Sequence, residues 1–250
     1  MARTRFASFV AALLFSAVAA SAAADPVTLT TADGVKVFGE VWRAAGARPA
    51  VIVAFHQAES SSAEYAPIAP RLVQAGFTVL AIDQRSGNGN FGGSNRTVAT
   101  LGTSKDYDDA LPDLEAALAW AKGGARGAPI VVWGSSYSAS LVFLLAAAHP
   151  GDVAGVVAYS PDEYLARKSA VRDAARKVTV PVFIDQASLP EEVAAGKRIL
   201  AAVKSADKQQ FVGKVAAPHG SSTLRADTNA AGAEAHWQAV LRFLSRFAAR

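Results

Sequence analysis

The segment Gly134-Ser-Ser-Tyr-Ser138 is the clearest chemical motif in the sequence. It follows a short apolar run and precedes a helical pattern, so it lies at a predicted strand-to-helix turn. A serine there, with small residues two positions before and after it, is typical of a tight turn that exposes the serine oxygen at a sheet edge. The spacing selects Ser136 rather than its neighbour Ser135. We therefore predict that Ser136 is a nucleophile that forms a covalent intermediate.

A serine nucleophile needs a general base, and the sequence offers four histidines. His219 lies in a small-residue loop after the last predicted strand, where an imidazole can reach the serine hydroxyl. His149 lies at the end of a predicted helix, and His236 lies inside the last one. His56 precedes the serine in the chain, whereas the base is expected after it. We therefore interpret His56 as a structural loop residue. His219 is therefore the predicted base.

Attack of a serine on a carbonyl carbon produces a tetrahedral intermediate, and backbone N–H groups must bind the oxyanion of that intermediate. The first expected donor is the N–H of Tyr137, because it follows the nucleophile and begins a helix whose N-terminus carries a partial positive charge. The second is expected in residues 55–61, a loop that leaves the first buried strand. There we predict the backbone of Gln57.

Alternating strands and helices must hold these residues together. Short apolar runs predict buried strands at residues 50–55, 77–82, 129–133, 153–159, 178–184 and 211–216. Helical patterns occupy residues 62–75, 106–122, 136–149, 190–206 and 230–249, with one further helix expected in 160–179. Residues 83–105 are predicted to be a long loop.

Two β-prone runs, residues 27–30 and 35–42, flank Asp33-Gly34 and predict an antiparallel hairpin at the start of the fold. The fold class expected from the whole pattern is α/β, with a mostly parallel sheet that helices flank on both faces.

Residues 1–24 have the features of a secretory signal peptide. Arg3 and Arg5 form a positive start, an apolar stretch at 6–20 follows, and the small residues after it fit a cleavage site. We therefore expect a secreted or periplasmic protein with one domain at 25–250. Stable membrane insertion after processing is not expected.

The composition excludes several types of reaction and binding site. The 250-residue chain contains no cysteine, which excludes disulfides, thiolate catalysis and cysteine-ligated metals. Its net charge of +4 falls to +2 without Arg3 and Arg5, so the charge gives no reason to expect a nucleic-acid partner. Neither a phosphate loop, a dinucleotide fingerprint nor metal-ligand spacing is present, and no cofactor or metal is predicted.

Taken together, the motifs resemble those of α/β-hydrolases of the dienelactone-hydrolase-like group. The matching segments are His56-Gln57-Ala58 with Ser60-Ser61, Asp83-Gln-Arg-Ser-Gly87, Gly134-Ser-Ser-Tyr-Ser138, Pro181-Val-Phe-Ile184 and His219-Gly-Ser-Ser222. The resemblance implies an α/β-hydrolase fold and a serine hydrolase that cleaves an ester-type bond of a small molecule. Dienelactone hydrolases themselves use a cysteine nucleophile, so their substrate does not carry over.

The acid of the catalytic triad is where the chain departs from the family pattern. The family places an acidic residue eight or nine positions after Pro181, where this chain has Leu189 and Pro190. We predict that Asp162, at the end of the preceding strand, is the acid, although it could instead cap the following helix. Glu191 is the alternative. If neither serves, the protein is a catalytically degraded α/β-hydrolase-fold protein that binds a ligand or partner.

Arg85 and the Gly-rich loop 86–93 follow the C-terminal end of a predicted strand. Two interpretations remain open for them. They line the substrate pocket, or they form a solvated loop with a salt-bridged arginine.

Overall fold

A computed structural model of the protein describes residues 23–248. The predicted signal peptide lies outside the described residues, except for Ala23 and Ala24, and export of the chain stays a prediction. Among residues 23–248, no helix has the length and apolar character needed to cross a membrane.

One eight-stranded sheet organises the described residues. Its strands are β1 (Asp25–Thr30), β2 (Lys36–Trp42), β3 (Ala50–Phe55), β4 (Phe77–Ile82), β5 (Ile130–Ser135), β6 (Gly155–Tyr159), β7 (Val182–Gln186) and β8 (Lys208–Val212). Their order across the sheet is β1-β2-β4-β3-β5-β6-β7-β8. The β1–β2 and β2–β4 pairs are antiparallel, and all later neighbours are parallel. The predicted fold class, with its N-terminal antiparallel hairpin, is confirmed.

Helices cover both faces of this sheet. They are α1 (Ala69–Gln74), α2 (Arg96–Leu101), α3 (Leu111–Ala125), α4 (Tyr137–Ala148), α5 (Ala170–Ala175), α6 (Pro190–Ala202) and α7 (Ala233–Leu244). Helices α3 to α6 pack on one face, and α1 and α7 pack on the other. Along β3, Val51 and Val53 therefore face one core while Ile52 faces the second. Because both faces are buried, the central strands are continuously apolar in sequence.

The structure differs from the predictions for two segments. The loop expected at 83–105 contains α2, whose N-terminus is capped by the Asn95 side chain, which accepts a hydrogen bond from Val98 N at 2.8 Å. The helix expected at 62–75 is divided into a 3-10 helix (Ser62–Tyr65) and α1. The division places the chain around residue 64 inside the protein rather than on an exposed helical face, which affects the site described below.

Strand β8 begins three residues earlier than the predicted run at 211–216. It lies at the edge of the sheet, where one side is exposed, so Lys208, Gln209 and Gln210 can take part. Edge strands tolerate polar residues, and a search for apolar runs therefore misplaces them.

Arg85 connects the N-terminal hairpin to helix α3. Its guanidinium lies 2.7 Å from Asp113 Oδ1 and 2.6 Å from Asp33 Oδ2. Asp113 is fully buried and also accepts a hydrogen bond from Arg85 N at 2.7 Å. Of the two interpretations left open for Arg85, the structure shows the salt-bridged one.

Asp113→Ala is expected to lower the free energy of unfolding by about 3 kcal/mol, because it leaves the guanidinium of Arg85 buried without its innermost partner. Asp109→Ala, which removes an exposed carboxylate near the same helix, is the control and should change stability little. Urea unfolding of the two variants measures the difference. Equal stability would contradict a structural role for the Arg85 contacts.

Candidate active site

Ser136 lies at the junction of β5 and α4 with the backbone angles φ 59° and ψ −123°. A non-glycine residue in such a region costs roughly 1–3 kcal/mol, so its surroundings must hold it there. Ser136 N donates to Tyr159 O of the neighbouring strand at 2.8 Å. A Cβ atom on Gly134 would lie 2.3 Å from Ser138 O, which explains why a glycine stands at that position. The turn predicted from the motif is therefore present.

His219 and Ser136 are brought together although 83 positions separate them in the chain. The Nε2 atom of His219 lies 2.8 Å from the Oγ atom of Ser136. The next residue, Gly220, has a positive φ of 69°, and a Cβ there would lie 2.5 Å from Ser135 Oγ. The loop can thus approach the Ser136 turn closely because residue 220 has no side chain.

A carboxylate lies on the other side of the His219 ring. Glu192 Oε1 is 3.0 Å from His219 Nδ1, and the Glu192 side chain is 15% exposed. Burial acts to raise the pKa of Glu192, but the hydrogen bond to His219 and the charge of its ring outweigh burial and lower that pKa. An ionised carboxylate can only accept, so Nδ1 of His219 donates to it and Nε2 is left to accept from the Ser136 hydroxyl.

This geometry corrects the predicted acid. Asp162 does not reach His219, because its Oδ1 accepts from Glu163 N at 2.8 Å and lies 3.7 Å from Arg198 Nη2. Glu191 is exposed. Glu191 and Glu192 are consecutive in the first turn of α6, and consecutive helical residues point about 100° apart. Only Glu192 therefore faces the imidazole.

The oxyanion loop needs a second correction. The predicted donor, Gln57 N–H, is already bonded to Glu64 Oε2 at 2.8 Å. Among the hydrogen bonds of the described residues, none uses the next amide, that of Ala58, or the amide of Tyr137. The amides of Ala58 and Tyr137 can thus both donate to a ligand.

Glu64 is a site residue that the sequence did not reveal. It is fully buried in the 3-10 helix that precedes α1. Its Oε1 accepts from Ser135 Oγ at 2.7 Å, and Ser135 Oγ in turn accepts from Ser221 N at 2.9 Å. A glutamate in a predicted surface helix gives no signal of burial, so the sequence offered no means of finding it.

The remaining histidines have other partners. His56 is fully buried; its Nε2 accepts from Gln84 N at 3.0 Å, and its Nδ1 lies 2.8 Å from Gln57 O. Burial lowers the pKa of His56 to about 4. His236 Nδ1 lies 2.7 Å from Asp185 Oδ1, and both side chains are fully buried. His56 therefore supports the loop, as its position in the chain predicts.

A cleft of about 390 Å³ borders the site, with Lys105, Asp106, Tyr107, Asp108, Tyr164 and Ala166 in its walls. The ring of Tyr164 meets the His219 ring edge-on at 6.4 Å between centroids. The ring of Tyr107 stacks on Tyr137 at 4.3 Å. The cleft thus has aromatic walls on the side nearest Ser136 and His219, and a charged rim.

Comparison with known protein families identifies the chain. The sequence model described as serine aminopeptidase, S33 (Hydrolase_4) matches residues 46–183. The chain belongs to this family. The Hydrolase_4 match spans β3 to β7 and so includes the Ser136 turn. No curated protein matches the sequence.

Solved structures of the same fold resemble this Hydrolase_4 chain over nearly its whole length. The Pyrococcus furiosus esterase Pf2001 is 22% identical, with a TM-score of 0.68, over 91% of this chain and 93% of its own. A dienelactone hydrolase from Anabaena variabilis is 19% identical, with a TM-score of 0.70, over 92% and 100%. A soluble variant of Saccharomyces cerevisiae monoglyceride lipase is 12% identical, with a TM-score of 0.63, over 93% and 98%. At these identities the likeness establishes the α/β-hydrolase fold.

The buried environment of His56 gives a prediction. Its imidazole should stay neutral until the pH falls to about 4, because burial disfavours the charged ring. NMR titration of the imidazole nitrogens measures this, and the His56→Gln variant assigns the signals. A midpoint at pH 6 or above would contradict the loop-supporting role.

Proposed function

We propose that the protein is a serine hydrolase that cleaves ester bonds of small molecules through an acyl-enzyme on Ser136. The observation that carries the proposal is the continuous contact from Ser136 Oγ through the His219 ring to Glu192, with distances of 2.8 and 3.0 Å. Along the chain the order is serine, carboxylate, histidine, which is the order of triads in α/β-hydrolases.

The first half of the reaction follows from these contacts. Ser136 Oγ attacks the ester carbonyl carbon while His219 Nε2 takes the hydroxyl proton. Glu192 holds the imidazole in the tautomer that accepts at Nε2 and stabilises the imidazolium that forms. When the tetrahedral intermediate collapses, the imidazolium gives this proton to the departing alcohol, and the acyl group stays on Ser136.

We assign the oxyanion hole to the amides of Tyr137 and Ala58. Neither has an acceptor among the described residues, and Tyr137 begins the 12-residue helix α4. Donors that are fixed before the reaction stabilise charge as it develops, and one such donor contributes about 10²–10³ in kcat. Ala58 replaces Gln57 in this role.

Water completes the cycle from the same groups. His219 removes a proton from a water molecule that attacks the acyl carbon, and the second tetrahedral intermediate collapses to release the acid. Ser136 Oγ recovers its proton from the imidazolium, so the enzyme returns to its starting state.

An ester is the proposed bond because the structural relatives include an esterase, a dienelactone hydrolase and a monoglyceride lipase. The cleft at Tyr107 and Tyr164 offers space for a small substrate, and these two rings contact Tyr137 and His219. The alternative of a degraded, ligand-binding protein rested on the missing triad acid. The carboxylate of Glu192, 3.0 Å from His219 Nδ1, supports the catalytic alternative instead.

Ser136→Ala tests the proposal. It should lower kcat for p-nitrophenyl acetate by about 10⁶-fold, because the variant cannot form the acyl-enzyme. Ser245→Ala is the matched control, since Ser245 is exposed at the C-terminal end of α7. Initial rates with purified full-length protein measure both.

Three results would contradict all or part of the proposal. Wild-type protein that hydrolyses no activated ester would remove the esterase function. Ester hydrolysis that survives in Ser136→Ala would place the reaction elsewhere. Hydrolysis of aminoacyl p-nitroanilides alone would keep the serine mechanism and overturn the ester assignment.

The choice of acid is tested by three amide substitutions. Glu192→Gln should lower kcat roughly a thousandfold or more, because the amide no longer fixes the His219 tautomer or stabilises the imidazolium. Glu191→Gln and Asp162→Asn are the controls and should stay near wild type. A larger loss in either control than in Glu192→Gln would reassign the acid.

A further inference from the structure

A buried carboxylate outside the catalytic contacts connects three segments of the site. Glu64 Oε2 accepts from Gln57 N at 2.8 Å, next to the amide of Ala58. Its Oε1 accepts from Ser135 Oγ at 2.7 Å, next to the nucleophile. Glu64 is fully buried, so bulk water does not reach either oxygen.

The third segment is the loop of the base. Ser135 Oγ donates to Glu64 and accepts from Ser221 N at 2.9 Å, two residues after His219. A Cβ on Gly220 would lie 2.5 Å from Ser135 Oγ and 2.7 Å from Gln57 Oε1. The three segments are therefore packed against one another at hydrogen-bonding distance.

We propose that Glu64 is a positioning residue for the hydrolysis, and that only its ionised form holds the oxyanion loop, the Ser136 turn and the His219 loop in register. The inference rests on the proposed function. A carboxylate accepts at both oxygens, whereas a protonated carboxyl group must use one of them as a donor. Protonation at Oε2 therefore removes the acceptor of Gln57 N–H, whereas protonation at Oε1 reverses the hydrogen bond with Ser135 and takes away the acceptor of the Ser135 proton.

The charges that face Glu64 determine where this change occurs. Burial raises the pKa of Glu64 to about 7, against the hydrogen bonds from Gln57 and Ser135 and the charges of Arg225 and His219, which lower it. Arg225 lies on the loop after the 3-10 helix that follows His219, and its Nη1 donates to the backbone O of Glu64 at 3.0 Å. Tyr65 is the other titratable neighbour, and burial raises its pKa well above the ordinary value, so it stays neutral.

The sign of the pH effect follows. As the pH falls through about 7, Glu64 takes up a proton and the register is lost. Protonation of Glu64 then lowers kcat/KM, so this group should add about one unit to the slope of log(kcat/KM) on its acid limb. In Glu64→Gln that contribution is lost, and the acid limb should be less steep than that of wild type by about one unit.

The experiment is a pH profile of p-nitrophenyl acetate hydrolysis for wild type, Glu64→Gln and the exposed control Glu115→Gln. Glu64→Gln should lower kcat about a hundredfold, the size of a small misplacement of reacting groups, and make the acid limb less steep by about one unit. Glu115→Gln should retain the wild-type rate and slope. Thermal unfolding tests whether Glu64→Gln is folded.

A rate and slope in folded Glu64→Gln equal to those of wild type would overturn the positioning role and leave the proposed function intact. A folded Glu64→Gln variant with a lowered rate but the same acid-limb slope as wild type would overturn the role of ionisation. Ser135→Ala gives a second test, because it removes the hydrogen bond between Ser135 and Glu64. The double variant Ser135→Ala/Glu64→Gln should be about as active as the less active of the two single variants. Additive losses would overturn the inference.

One readout does not depend on catalysis. The Gln57 backbone amide should shift in NMR spectra of wild-type protein with a midpoint near pH 7, as its acceptor is protonated. An amide signal that does not change between pH 5 and 9 would overturn the inference even in a protein without esterase activity. Failure of the proposed function alone would leave this titration in place.

Discussion

The backbone of Ser136 is the constraint on which the site depends. A serine with a positive φ is unfavourable by itself, and the surrounding structure holds it with β5 on one side and α4 on the other. The hydrogen bond from Ser136 N to Tyr159 O ties the turn to β6. Helices cover both faces of the parallel sheet, so the turn between β5 and α4 cannot move out into the solvent. The hydroxyl is therefore presented to His219 before any substrate binds.

Three buried or partly buried carboxylates have different environments, and their pKa values differ accordingly. Glu192 is only partly buried and hydrogen bonded to His219, so its pKa is lowered and it stays ionised beside the base. Glu64 is fully buried, and its pKa is raised to about 7. Asp185, paired with His236 beneath α7, is also fully buried, and burial raises its pKa to about 6. The environment, more than the residue type, thus sets the pKa of each of these carboxylates.

Local signals in the sequence were enough to predict the fold and the contact between Ser136 and His219. Buried strands are short apolar runs, and the strand-to-helix turn requires small residues at fixed positions such as Gly134. His219 follows the last strand, and parallel strands bring their C-terminal ends to one edge of the sheet. These features depend on neighbours in sequence or on general topology, so one chain is sufficient to predict them.

The acid and the oxyanion donor depend instead on how distant segments pack. The first turn of α6 decides whether Glu191 or Glu192 faces the imidazole, and the rotation of α6 is set by its packing against β7, β8 and α5. Gln57 N–H cannot serve as the donor because it is bonded to the buried Glu64, a contact between residues that the sequence alone does not bring together. That burial follows from the division of the helix expected at 62–75, which tertiary packing imposes.

Covalent labelling measures the central claim most directly. Full-length protein treated with a fluorophosphonate, which reacts with activated serine hydroxyls, should gain one adduct, and peptide mass spectrometry should place it on Ser136. The neighbouring Ser135, whose hydroxyl is bonded to Glu64, should remain unmodified. An adduct on another residue, or folded protein that gains none, would contradict the assignment of Ser136 as an activated nucleophile.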